Sequence, residues 1–305
     1  MTRCRKRKKP NLHENATRRM LFVNDSAGRR ANVPQCLSAF QRHDISEASG
    51  VLAPLVGERN RATRLLVAVW GGDGSMRTVA SLLIDTDATL LACPGGTHNH
   101  FARALGVSDE QDLEAALRSG EERLIDVAMA GSEVFLNNLS LGWYTDLVAR
   151  RERYQRRVPR RLAKLASLLV QLLRTRRLRI SVDETPERVW LVWVGNGEYS
   201  MSPTRLADRA SVESGVLDVR LLRAGARWPK LCAIVAVIKA NTESSSHVVR
   251  RIAPAVTLRG SRSIVRAALD GELIELPSPV LVTVRHRSLR VLIAPPTVDG
   301  EPSDG

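Results

Sequence analysis

Long apolar runs, paired cysteines and aromatic residues are all scarce in this chain, and each scarcity removes a class of protein. The longest apolar stretch, around Leu165 to Leu173, is closed by Arg161, Lys164 and Arg174, well short of the roughly 20 residues a membrane-crossing helix needs. The four cysteines (Cys4, Cys36, Cys93 and Cys232) form no CxxC pair and no Cys/His cluster of zinc spacing, so neither a disulfide framework nor a zinc fold is expected. Aromatics make up 4% of the chain, and the basic segments lack the interleaved rings of a single-strand nucleic-acid platform, which argues against a nucleic-acid partner. The opening residues MTRCRKRKKPNLHENATRRM are basic but lead into Pro10, Asn11, His13 and Glu14 rather than an apolar core, unlike a secretion signal. A reduced, cytoplasmic protein is the expectation.

What the chain does have is length, an apolar fraction of 44% and a formal charge of +14. Its 305 residues suggest two domains at about 150 residues each. The charge is concentrated: from Arg150 to Arg179 twelve basic residues face one acid, Glu152. Such a segment is either a solvated face or a surface for phosphates and anionic membrane. Within it Leu162, Leu165, Ala166, Leu169, Leu172 and Leu173 keep helical spacing, which fits a helix lying on a membrane or one packed on its own protein.

Along the chain, a basic leader (1–19) is expected to be disordered, and Met20 to Asn24 reads as a buried strand. The spacing predicts a helix over 34–42 and leaves 49–61 ambiguous. Arg64 to Trp70 is an apolar run of strand length, broken by GGDGS and followed by MRTVASLLI at helical spacing; TLLACP, a GGT turn and HNHFARALG then repeat the pattern. Two successive strand-turn-helix units imply a parallel sheet covered by helices. From Arg123 onward strand candidates dominate: LIDVAMA, EVFLNNLSLG, LRISVD, RVWLVWVGNG, GVLDVRLL, SIVRAALDG, PVLVTVRHR and LRVLIAP. These predict an antiparallel β domain with a basic helical insert over 143–177. The final ten residues read as a disordered acidic tail.

Gly71-Gly72-Asp73-Gly74-Ser75, ending a buried strand and opening a helix, either is a plain tight turn or lets backbone amides approach an anion. Asp73 would repel phosphate directly, so holding magnesium through water or orienting a hydroxyl suits it better. Pro94-Gly95-Gly96-Thr97-His98-Asn99 repeats that logic one strand away, and two such turns at one sheet edge make a nucleotide crevice. Asp270-Gly271-Glu272 reads alone as a hairpin turn.

GGDGS followed by PGGTHNHFARALG resembles the signatures of the diacylglycerol kinase and sphingosine kinase family. The resemblance extends to NDSAG (Asn24 to Gly28), LIDVAMAGSEVFLNN, VGNGEYS, ESGVLDVRLL and ALDGELIELPSPVLVTVRHRSLRVLIAP, together covering roughly residues 20–295 in order. It implies an NAD kinase/diacylglycerol kinase-like fold: an α/β N-terminal domain with a parallel sheet (20–125) and a C-terminal antiparallel β-sandwich domain (126–295). It also implies an ATP- and magnesium-dependent lipid kinase. Nucleotide would lie at Asn24, Gly28, Gly71, Gly72, Asp73, Gly74, Ser75, Gly96, Thr97 and Asn99. Glu272, with Asp270 close behind, would accept the hydroxyl proton, Asp73 completing the catalytic set. Asp73, Asp126, Glu213 and Asp218 would be the metal-binding acids. The expected partners are a lipid substrate and, peripherally, the anionic inner membrane surface, with a homodimer left open. The chain departs from the family where Asp25 replaces Pro, where Arg77-Thr78 replace Asn-Glu, where His100 replaces Asp and where Ser214 replaces an acid tied to a structural magnesium site. A catalytically impaired lipid- or nucleotide-binding homologue, or an NAD kinase-like enzyme, is the alternative reading. A phosphofructokinase is excluded by its missing N-terminal glycine loop.

Overall fold

The computed structural model describes residues 17–24, 33–57, 64–142, 177–201, 206–209, 211–224 and 248–295. Gly28, most of the basic leader, the basic helical insert save Arg177, and the acidic tail lie outside the described residues.

The first half alternates strands and helices. β1 (Thr17–Val23), β2 (Gln41–Asp44), β3 (Arg64–Gly71) and β4 (Thr89–Pro94) pair in parallel in the order β2-β1-β3-β4. Helices α1 (Ala48–Gly57), α2 (Asp73–Leu83), α3 (His100–Ala104) and α4 (Glu110–Ser119) complete this half. All six residues of β4 are buried, which is why it is written as a continuous apolar run rather than an alternating one. α2 instead buries Ser75, Met76, Val79, Ala80 and Leu83, the three-and-four spacing of a helix with one face on a sheet.

The second half is antiparallel and sandwich-like: β5 (Glu121–Ala130), β6 (Glu133–Phe135), β7 (Asn138–Gly142), β8 (Leu178–Val182), β9 (Thr185–Asn196), β10 (Tyr199–Met201), β11 (Leu206–Arg209), β12 (Leu217–Arg223), β13 (Val248–Ala253), β14 (Ala255–Gly260), β15 (Ile264–Leu269), β16 (Glu272–Pro277) and β17 (Val280–Ile293). β9 is the hub, pairing with β7, β8 and β12. The two halves share β17. Its start pairs with β14, Val282–Arg285 and Leu289–Ile293 run against β5, and Val291 meets Leu90 of β4. The two hydrophobic cores accordingly both draw on β5 and β17: Ile125, Val127, Leu289 and Val291 pack in the first, Ala128, Ala130, Val280 and Val282 in the second.

Four sequence expectations are corrected. The helix predicted over 34–42 is a single 3-10 turn, Gln35–Leu37, followed by β2; Leu37 and Phe40 are buried with a helix-like spacing, but from Gln41 the backbone finds a ladder partner in Met20–Val23. Thr17–Arg19 belong to β1, pairing with Arg64–Leu66; only the later part of the strand is buried throughout, so its start carries no apolar signal. EVFLNNLSLG is two strands, β6 and β7, broken at Leu136 and Asn137. PVLVTVRHR and LRVLIAP are one strand, β17, whose register slips between Arg285 and Leu289 around the left-handed Arg287, φ 49°.

Candidate active site

β3 and β4 end level, Gly71 beside Pro94, and the turns that follow them touch. A Cβ on Gly96 would stand 2.4 Å from the Cα of Gly72, and one on Gly95 2.8 Å from the nitrogen of Gly71. Only glycine lets two backbones meet this closely. α2 starts at Asp73 with no side chain capping it, leaving its first amides to an outside acceptor. Ser75 Oγ accepts a hydrogen bond from Asn24 Nδ2 at 2.9 Å, and the Asn24 amide donates to Trp70 O at 3.1 Å, so the end of β1 is tied to the same corner.

The second turn is built by Asn99. It takes the left-handed conformation, φ 53°, which asparagine tolerates better than most residues. Its Oδ1 accepts from the Gly96 amide at 2.8 Å while its Nδ2 donates to Gly96 O at 3.0 Å. Asp73 then joins the turns: its carboxylate accepts from the amides of Phe101 at 2.9 Å and His100 at 3.3 Å. Thr97 and His100 are exposed.

Facing these turns is the β15–β16 hairpin. Asp270 and Gly271 are both left-handed, φ 49° and 88°, the two-residue turn for which Asp-Gly is favoured. Asp270 points inward, where its carboxylate accepts from the amides of Leu136 at 2.8 Å, Asn137 at 2.7 Å and Asn138 at 3.0 Å. Burial of the carboxylate, with a smaller push from the Asp73 charge and against the pull of those three amides, raises its pKa to about 6. Glu272 points the other way, over α2. A Cβ on Gly74 would fall 1.8 Å from Glu272 Oε1, and Arg77 Nη2 donates to Glu272 Oε2 at 2.5 Å.

The ribbon that holds Asp270 is braced from behind. Asn196 Nδ2 and Arg209 Nη1 both donate to Leu136 O, at 3.1 Å each, and the Tyr199 hydroxyl donates to Asn137 O at 2.9 Å. Burial pushes the Tyr199 phenol up to about 12, so it stays a donor. Asn137 also extends its Nδ2 to within 3.4 Å of Asp73 Oδ1, linking the two walls.

Two family models match the chain: the diacylglycerol kinase catalytic domain over residues 18–130, and the YegS C-terminal NAD kinase beta sandwich-like domain over residues 144–293. The chain thus carries a diacylglycerol kinase catalytic domain followed by a YegS-type C-terminal domain. A protein of Pseudomonas savastanoi pv. phaseolicola named "Probable lipid kinase YegS-like" is 31% identical over 179 residues, a match spanning 56% of this chain and 58% of that protein. Its namesake in Pseudomonas putida is 29% identical over 240 residues, 76% of this chain and 78% of that one. A crystal structure of a diacylglycerol kinase from Bacillus anthracis str. Sterne aligns with a TM-score of 0.62 at 20% identity, covering 94% of this chain and 99% of that one; a second structure from the same organism gives 0.67 at 21% identity over the same shares. At these identities the likeness to the solved structures is one of fold.

In this diacylglycerol kinase-type frame, Asn24, Gly71 to Ser75, Gly96, Asn99, Asp270 and Glu272 gather around the two touching turns. Of the four acids named for metal, only Asp73 does. Asp126 is 1% exposed, and its oxygens accept from the amides of Gly215 at 2.5 Å and Arg287 at 2.9 Å, with His286 Nδ1 at 2.8 Å. Glu213 lies between Arg287, 3.4 Å away, and Arg123, 3.8 Å away. Asp218 is fully buried between Arg220 at 2.6 Å and Arg250 at 3.1 Å; burial pushes its pKa up, but these guanidinium bonds outweigh that and hold it below the usual carboxylate range. Among the described residues no three acid, histidine or cysteine side chains form a metal shell. A protein-built site joining the four acids does not fit. Asp73 alone of the four lies at the uncapped start of α2, and a magnesium ion carried there by nucleotide phosphates would need only one or two protein carboxylates.

Two residues here were absent from the sequence-predicted site. Asn137 sits in the quoted LIDVAMAGSEVFLNN segment, so its signal was present. Arg77 was visible only as a departure from the family pattern.

Proposed function

We propose that this chain is an ATP-dependent lipid kinase, moving the γ-phosphate to a hydroxyl of a diacylglycerol-like lipid. The observation that carries this reading is the seat of Glu272: an exposed carboxylate held directly over the uncapped first turn of α2, at the edge of the two touching glycine turns. Phosphoryl transfer asks for positioning and charge neutralisation more than covalent help from the protein. The amides of 72–75, backed by the Asn24–Ser75 contact, suit the phosphates. Magnesium, when bound with the nucleotide, supplies neutralisation of phosphate charge, with Asp73 as its protein carboxylate.

Glu272 suits the role of base: as the acceptor oxygen attacks the γ-phosphorus and the bond to the β–γ bridging oxygen breaks to release ADP, the hydroxyl proton passes to the carboxylate. Asp270, its oxygens engaged by three amides, holds the hairpin that presents Glu272 and does not itself take the proton. A lipid acceptor also gives the concentrated basic segment a purpose, namely docking on the anionic inner face of a membrane. No helix among the described residues is long and apolar enough to cross one.

The test is incubation with radiolabelled ATP and a total lipid extract, followed by mass spectrometry of the labelled product. The expected result is a labelled phospholipid monoester, lost in Asp73→Ala and Glu272→Ala. Label transferred to NAD but to no lipid would overturn the reading in favour of a dinucleotide kinase. Nucleotide binding without turnover would leave only a binding protein.

A further inference from the structure

Arg77 is the one basic residue of α2, and it crosses from the glycine turn to the opposite hairpin. Its side chain is 18% exposed and that of Glu272 is 53% exposed, so the arginine is the anchored member of the pair. Its Nη2 holds Glu272 Oε2 at 2.5 Å. Its Nη1 is buried and meets no hydrogen-bond partner among the described residues, an arrangement that costs stability and that packing alone would avoid. Glu272 Oε1, by contrast, accepts no hydrogen bond among the described residues and lies against the bare Cα of Gly74. One oxygen is fastened and the other is left open.

We propose that Arg77 is a positioning residue for the acceptor step: it fastens Oε2 so that Oε1 points at the site of the incoming hydroxyl. This rests on the reading of Glu272 as the base. A glutamate at the start of a surface hairpin strand has several rotatable bonds and, unheld, samples many directions. The guanidinium, on a rigid helix, selects one. Arginine also has the geometry to hold one carboxylate oxygen while its planar group stays packed.

The experiment compares wild type, Arg77→Ala, Arg77→Lys, Glu272→Gln and the double variant in the labelled-ATP assay, with KM and kcat measured separately. Misplacing a reacting group by about 1 Å can cost on the order of 10²-fold, and a loss of that size in kcat is expected for Arg77→Ala. The nucleotide KM should stay within about twofold. Added guanidinium ion at millimolar concentration should restore part of the rate to Arg77→Ala, and Arg77→Lys should keep part of it. In the Glu272→Gln background the arginine change should cost nothing further. A rise in nucleotide KM matching the loss in kcat/KM would overturn the proposal, since Arg77 would then hold phosphate. Full activity of Arg77→Ala beside a dead Glu272→Gln overturns the positioning role alone, whereas an active Glu272→Gln overturns the base assignment and the positioning role with it.

Discussion

Replacing Gly74 with alanine separates the catalytic placement of Glu272 from the stability of the fold. Gly74 lies in the first turn of α2, where alanine is the better helix former by up to about 1 kcal/mol. The new methyl carbon would stand 1.8 Å from Glu272 Oε1 and 2.6 Å from its Cδ, distances no contact survives. These atoms end a flexible side chain, so the glutamate swings away and the backbone stays. The swing breaks the pair with Arg77, and because Glu272 is about half exposed that loss is worth about 0–1 kcal/mol. Gain and loss nearly cancel, and the unfolding midpoint should move by no more than about 3 °C. Turnover, in contrast, should fall on the order of 10²-fold with the carboxylate displaced. Thermal unfolding followed by circular dichroism, alongside the labelled-ATP assay, reads both. Wild-type turnover with an unchanged midpoint would refute the role given to Glu272. A large drop in midpoint would refute the claim that the clash is relieved by the side chain. Gly96→Ala supplies the contrast: its methyl meets the Cα of Gly72 at 2.4 Å, backbone against backbone, and overpacking of that kind costs about 1–3 kcal/mol.

Three further outcomes are expected. Asp270 binds its proton more tightly in the folded chain, with a pKa of about 6 against 3.8 for the free group. The stability this confers is complete below the lower value and lost as pH rises through the upper one. Wild type should therefore weaken relative to Asp270→Asn between these values, by at most about 3 kcal/mol; a trend of opposite sign in urea titrations would mean that the three amides outweigh burial. Because Asp126, Glu213 and Asp218 already have cationic or amide partners, the unfolding midpoint without nucleotide should be the same in EDTA and in millimolar magnesium, and a shift of several degrees would reveal a metal shell. Finally, changing Arg156, Arg157, Arg160 and Arg161 to Gln should reduce co-sedimentation with anionic liposomes at low salt, at about 1 kcal/mol for each charge near the surface; undiminished sedimentation would exclude that segment as the docking surface.

The strands and turns of the first half were legible because local rules decide them. β3 and β4 are apolar runs ended by glycine, and α2 repeats its buried residues at helical spacing. β2 was not legible: its residues are Gln41–Asp44, none of them buried, and its partner lies some twenty residues earlier in the chain. The glycine turns could be read as a site because glycine is costly unless needed. The division of labour proposed for Asp270 and Glu272 could not, since it depends on which side of the hairpin meets Leu136, Asn137 and Asn138, residues more than a hundred positions away. The same holds for Asp126, Glu213 and Asp218, whose carboxylates look free in sequence but are engaged from distant strands by Arg123, Arg250, Arg287 and His286.

β17 governs the order in which this protein can be made. β4 has β3 on one side and β17 on the other, and β5 runs along β17 from Glu121 to Ala130. On the ribosome the first half emerges with one flank of its sheet unsealed, and it stays so until residues 280–293 are synthesised. Pairings that wait for the end of the chain carry a high loop-closure cost and form slowly. An unpaired flank of buried, apolar strand is in the meantime prone to pair with another chain. Loss of even the last dozen residues of the described chain should therefore cripple the first half, although those residues are the most distant from it in sequence.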